Sequence, residues 1–439
     1  MNENLTLEQA VARHIANEGV APPADAFYDE LIRNADQRGQ RPRWLALIKE
    51  HPMRYRSSTA VGSPTVRLAA ILIATMLLAV ALAGAGIAGT RLLAAGPIVV
   101  DADGGGDYTT IVEAVAAAGD GDTIQVMPGT YEGQVQITSN ITLQGVGDRD
   151  KVILKFEGGD IATFERTPGL TERAFAPYGL FLHQTDAVVR NLTVSGPQVA
   201  DAIVVIGGAP SIEGVTVHLE QPWTGWRHGL LLDVDTAATI DDVDINAWLG
   251  VGKGTPTIRN SRLSCGSDIA AAGANAILRD NVFRDDREGE DCGYGIAISD
   301  GASPQLIGND LSMASGGIII EGEDTNPLIE RNRVHSSGGP QEHPELERDA
   351  YTYRGITVED GAAPRIVGNE LADNETGIYI GAASPVIEDN AVSGGSVGIE
   401  VTDGATPTLV GNTVCGNTVN LEVTEGGDPT VDGSNTICE

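Results

Sequence analysis

The chain has 439 residues, with 28 Lys and Arg against 61 Asp and Glu. The charge is uneven: residues 1–67 carry 9 basic and 8 acidic side chains, whereas residues 92–439 carry 18 basic against 53 acidic ones. So acidic a surface repels nucleic acid phosphates and anionic lipid head groups, which excludes both as its partners and leaves cations and neutral or basic ligands.

Residues 5–50 read as two or three short helices, one starting near Thr6 and one over Asp25–Arg38 after a Pro-Pro pair. They hold no kinase, nucleotide or metal signature, so contact with another protein is the role open to them. Between Arg67 and Arg91 lie 23 residues without a charge, LAAILIATMLLAVALAGAGIAGT, long enough as a helix to cross a bilayer. Lys49, Arg54, Arg56 and Arg67 precede this stretch, while Arg91 alone follows it before Asp101, Asp103 and Asp107. The positive-inside rule then places the N-terminus in the cytoplasm. The expected organisation is a cytoplasmic helical segment (1–67), a transmembrane helix (68–90), a linker (91–97) and an extracytoplasmic domain (98–439), single-pass in the cell membrane. A run of small residues, Ala83–Gly89, leaves cleavage of the anchor open.

From about residue 187 the chain repeats itself every 20 to 23 residues. Clear copies are GIAISDGASPQLIGNDLS (295–312), GITVEDGAAPRIVGNELA (355–372) and GIEVTDGATPTLVGNTVC (398–415). Within the last, Ile399 and Val401 alternate with polar residues as in a half-buried strand. Asp403-Gly404 is turn chemistry; Leu409 opens a second strand and Val414 belongs to a third. Three short strands per period close one coil, and the expected fold class is all-β: a right-handed parallel β-helix of about 11 to 13 coils. Asn281, Asn309, Asn332, Asn369, Asn390 and Asn412 recur at one place in the coil, so they should stack at strand spacing and hydrogen-bond up the stack. Asn also tolerates a left-handed bend there. Cys415 and Cys438 fall at equivalent places in successive coils and should form a disulfide. Cys265 and Cys292 are the natural second pair. Cysteine usage of this kind suits an oxidising compartment.

The Asn ladder resembles that of the pectate-lyase-like proteins. Residues 98–147 (IVVDADGGGDYTTIVEAVAAAGDGDTIQVMPGTYEGQVQITSNITLQGVG) look like the opening of pectin-lyase-like β-helices, including the pectin methylesterase type, in which a short helix, here Thr109–Ala118, caps the stack. The likeness is nearest to the repeats of the carbohydrate-binding and sugar-hydrolysis class. The esterase signatures do not carry over, since Gln221-Pro-Trp223 is not a match. The polygalacturonase pattern fails too, since Asp241-Asp242 lies in turn register. The resemblance therefore implies a fold and names no reaction.

Coil lengths point to a site. The inserts 220–227, 284–291 and 336–353 fall at one place in the coil and should wall the face of the first strands, where the resemblance puts a substrate groove. Alternation sends Asp233, Ser299, Glu321, Glu359 and Thr402 outward in one row, and Leu231, Ala297, Ile319, Thr357, Tyr379 and Glu400 in the next. Glu321 and Glu359 stand in successive coils; such a pair can hold calcium or serve as acid and nucleophile. His343 is the candidate base from the longest insert. Candidate sugar contacts are Trp223, Trp226 and His228 from the first insert, Tyr351, Tyr353 and Arg354 from the last, and Tyr379 and Glu400 from the strands. No spaced His and Cys set suggests zinc, and no cofactor is implied. Three functions stay open: binding of cell-envelope or environmental polysaccharide, a polysaccharide lyase or glycoside hydrolase, and a structural or adhesion rod that recognises protein.

Overall fold

The computed structural model describes residues 96–157, 178–197, 201–220, 228–284, 294–313, 316–336 and 353–439. The expected cytoplasmic segment and transmembrane helix lie outside these residues. Among the described residues no helix is long and apolar enough to cross a membrane.

The described chain winds as a parallel β-helix with three sheets of 12, 14 and 13 strands, the 14-stranded one a strand beyond the expected 11 to 13 coils. In the repeat at 397–414 the strands are Val397–Thr402 in the first sheet, Thr408–Val410 in the second and Thr413–Val414 in the third. Each pairs in parallel with its counterpart one coil away, as Ile399 does with Ile378 and with Leu421. This register stacks like on like, so Ile and Val of successive turns fill one continuous apolar interior that includes Ile296, Ile318, Ile356, Ile378 and Ile399. The corner from the third sheet to the first is too tight for side chains. A Cβ on Gly317 would stand 2.2 Å from the carbonyl oxygen of Gly355.

The capping helix is present but shorter than expected, Ile111–Ala117 rather than Thr109–Ala118. Thr110 ends it as the N-cap, accepting the Glu113 N–H at 3.2 Å and donating its hydroxyl to the Glu113 carboxylate at 2.9 Å. Ile111 and Ala114 are buried against strands Ile98–Val100, Thr123–Val126 and Val135–Ile137.

The amide ladder runs as expected. Each Asn Nδ2 from Asn281 to Asn412 donates to the Oδ1 of the next rung at 2.9 to 3.0 Å, and Asn435 ends the row. One detail is corrected. The left-handed residue is not the ladder Asn but the one before it: Asp280, Gly308, Arg331, Gly368, Asp389 and Gly411 all have positive φ. That bend turns the following Asn inward, where its amide replaces backbone partners that the corner removes.

Cys415 and Cys438 are joined, with Cα atoms 5.0 Å apart. Cys265 is also disulfide-bonded; its expected partner Cys292 lies outside the described residues.

Candidate functional site

The outer face of the first sheet is where the expected residues meet. Glu321 and Glu359 are register partners on adjacent strands, Gly316–Glu321 and Arg354–Glu359. Arg354 opens the second of these strands. Its guanidinium lies 3.5 Å from the ring centroid of Tyr379, one coil on, and 3.8 Å from the Glu359 carboxylate. Arg354 Nη1 is buried and donates no hydrogen bond. Tyr379 is flanked in register by Thr357 and Glu400, and Glu400 by Glu422. Five of the expected site residues (Glu321, Arg354, Glu359, Tyr379 and Glu400) thus share one patch.

Its electrostatics follow from crowding. Burial pushes the Glu400 carboxyl up, Arg354 opposes this, and Glu422 adds to it. Burial likewise pushes the Tyr379 phenol up; Arg354 opposes, while Glu359, Asp403 and Glu400 reinforce it. The phenol therefore stays protonated and able to donate at neutral pH. The patch can offer a planar cation, a neutral phenol and several carboxylate acceptors.

Other expectations change. Tyr353 is 3% exposed with φ of 65°, and its carbonyl accepts the Glu375 N–H at 2.8 Å. Its side chain is buried where the chain enters the first sheet. The outward rows are less open than alternation implies. Leu231, Ile319, Thr357, Asp233 and Thr402 are all buried, and Phe181, Val204, Ile206 and Leu231 form an apolar cluster of their own outside the cylinder. Alternation tells which side a residue takes, not whether that side meets water. His343, Trp223, Trp226 and Tyr351 lie outside the described residues. Among the described residues no group of three or more His, Cys, Asp or Glu could hold a metal ion.

His228 is half-buried at the head of its strand, His228–Asp233, and not free in a loop. Its partner Asp201 was not among the expected residues. The signal for it is a recurring residue-Gly-Ile/Leu triplet at the start of first-sheet strands: Tyr178-Gly-Leu, His228-Gly-Leu, Tyr294-Gly-Ile and Arg354-Gly-Ile. Those leading residues stand at equivalent strand starts, and register places Asp201 beside Tyr178. On the third sheet, Asp310 joins Arg284 (2.6 Å) and His335 (3.1 Å), a second cluster that sequence spacing does not bring together.

Among known proteins, the family described as a right handed beta helix region matches residues 178–436, more than half of the chain. No curated protein matches it in sequence. Solved structures with a similar course include tailspike protein 3 of bacteriophage CBA120, at 10% identity and TM-score 0.49, over 74% of this chain and 57% of that one. This chain therefore spans little more than half of the tailspike's length. A pectin methylesterase from Erwinia chrysanthemi matches at 13% identity and TM-score 0.40, over 54% of this chain and 90% of the other. The catalytic unit of an α-1,3-glucanase from Streptomyces thermodiastaticus matches at 16% and 0.44, over 79% and 70%.

Proposed function

The chain belongs to the right-handed β-helix family, and on that premise we propose that it is a membrane-anchored, extracytoplasmic protein that binds polysaccharide through the polar half of its first sheet. The observation that carries the reading is Arg354, its guanidinium 3.5 Å from the Tyr379 ring centroid, with Glu321, Glu359 and Glu400 around it. A sugar ring brings hydroxyls that donate to carboxylates and accept from a guanidinium, and few other neutral ligands satisfy both at such density. The acidic excess of residues 92–439 favours a neutral or basic glycan over a polyanionic one. The charge-free stretch 68–90 and its basic flank support anchoring with the β-helix outside.

A glycan array probed with the full-length chain, with and without calcium, tests the proposal. Arg354→Ala and Tyr379→Ala should each weaken binding about tenfold, or about 1.4 kcal/mol. Undiminished binding in both variants, or binding to acidic glycans alone, overturns it. A second reading, glycoside hydrolysis by Glu321 and Glu359, draws on their register. Reducing ends released by the parent chain and lost in Glu321→Gln and Glu359→Gln would establish it.

A further inference from the structure

Near the N-terminal end of the same sheet, Asp201 begins strand Asp201–Ile206 and His228 begins the strand one coil on. Asp201 Oδ1 accepts the His228 backbone N–H at 2.9 Å and lies 3.3 Å from its Nδ1. The Asp201 side chain is 1% exposed, and its Oδ2 is buried and accepts no hydrogen bond. The imidazole, 13% exposed, lies over the next coil at Gly250, where a Cβ would stand 2.6 Å from Cδ2 and 2.8 Å from Nε2. Glycine leaves the ring its room. Tyr178, in register with Asp201, has its phenol pushed up by burial, and Trp248 is in register with His228.

Burying a carboxylate with one oxygen unused costs stability, so the arrangement calls for a reason beyond packing. The carboxylate at Nδ1 fixes the tautomer that leaves a lone pair on Nε2 and stands ready to balance the charge of an imidazolium. We propose that His228, positioned by Asp201 and 13% exposed at the head of its strand, is a general base that delivers water to an acyl ester on a glycan that runs past the strand heads beside the buried apolar patch. The glycan part of this rests on the function proposed above. The surroundings select among reactions. Strands 178–183, 201–206, 228–233 and 248–251 contain no Lys or Arg, so nothing on them would neutralise a uronic carboxylate for elimination. Besides Asp201 their one carboxylate is Asp233, at the far end of its strand and about 16 Å along it, too far to complete a glycosidase pair.

In the step, a water O–H bond breaks as its oxygen bonds to the ester carbonyl carbon. The proton passes to Nε2 and the carbonyl electron pair moves to its oxygen. Collapse restores the carbonyl and breaks the carbon–oxygen bond to the sugar, whose oxygen takes the proton back from Nε2. The products are a carboxylic acid and a free sugar hydroxyl, with no further reactant.

The full-length chain should release acetate from O-acetylated xylan and hydrolyse p-nitrophenyl acetate. His228→Gln should lower kcat at least about 100-fold. Asp201→Asn should lower kcat with KM unchanged, and added imidazole should restore acetate release from xylan by His228→Ala. A merely structural pair would show neither the split nor the rescue. Release no faster than in buffer, or full activity in His228→Gln, overturns the proposal. Array binding by the same sample separates the two readings. Binding without acetate release removes the base alone; ester hydrolysis that depends on His228 without glycan binding removes the glycan alone.

Discussion

Asn390 shows what one ladder residue does. Its Nδ2 donates to the Ile366 and Glu388 carbonyls and to Asn412 Oδ1, and its Oδ1 accepts from the backbone and side chain of Asn369. Asn390→Ala breaks the ladder and removes these buried bonds, although Asn412 Oδ1 keeps the Asn390 backbone N–H and Asn369 Nδ2 keeps the Ile329 carbonyl, and should cost about 2 to 4 kcal/mol in urea denaturation. Residues of this kind were legible in the sequence because they repeat at a fixed step, and a stack converts equal steps into contact. Asp201 was legible only indirectly, through the triplet at its neighbours' strand starts, which Asp201-Ala202-Ile203 itself does not carry. It occurs once, in a coil with no copy of the common sentence, and its meaning comes from His228, 27 positions away. Glu400 carries a pH prediction. Its carboxyl is raised on folding, so its ionised form is disfavoured in the native state; that penalty is absent below the unfolded value and full above the folded one. Glu400→Gln should therefore raise Tm at pH 7 and leave it unchanged at pH 4 and below.

Among the elements, the third sheet holds the cross-strand cluster of Arg284, Asp310 and His335. Burial works to raise the Asp310 carboxyl, but Arg284, then His335, overcome it and hold it low. A carboxyl lowered on folding adds stability above its unfolded value and loses it as pH falls through the folded one. Asp310→Asn should cost about 1 kcal/mol at pH 7, and its Tm should converge on the parent's in acid. The first sheet shows the other limit of sequence reading. Its strands and their outward rows followed from period-two alternation, yet its N-terminal half is apolar and buried on the outside too, at Phe181, Val204 and Leu231. A strand apolar on both faces reads the same whether a loop, a ligand or nothing lies over it, so the pattern does not fix the extent of the open patch.

For the molecule as a whole, each coil leans on its two neighbours, and stability is nearly a sum along one dimension. The Cys415–Cys438 link fastens the coil that carries Cys438 to the coil before it. Replacing both cysteines by serine should cost about 3 kcal/mol. Hydrogen exchange should place that loss in residues 413–439 and leave the coils near 300 protected. The winding and the three-sheet section followed from composition, period and turn residues. The chemistry did not, because the repeat governs what points inward, whereas a site is built from the positions the repeat leaves free.

The amide-to-amide bonds of the ladder all run one way, each rung donating to the next toward the C-terminus, unbroken from Asn281 to Asn435. Dipoles in a single file polarise their neighbours, so a rung gains from how many others stand on each side of it. Asn309 and Asn369 make the same set of bonds to the rungs flanking them, yet removing Asn369 cuts the file into equal halves while removing Asn309 leaves one long remnant. The central lesion should be the costlier by a few tenths of a kcal/mol, roughly, a dependence on address that contacts counted one at a time do not contain.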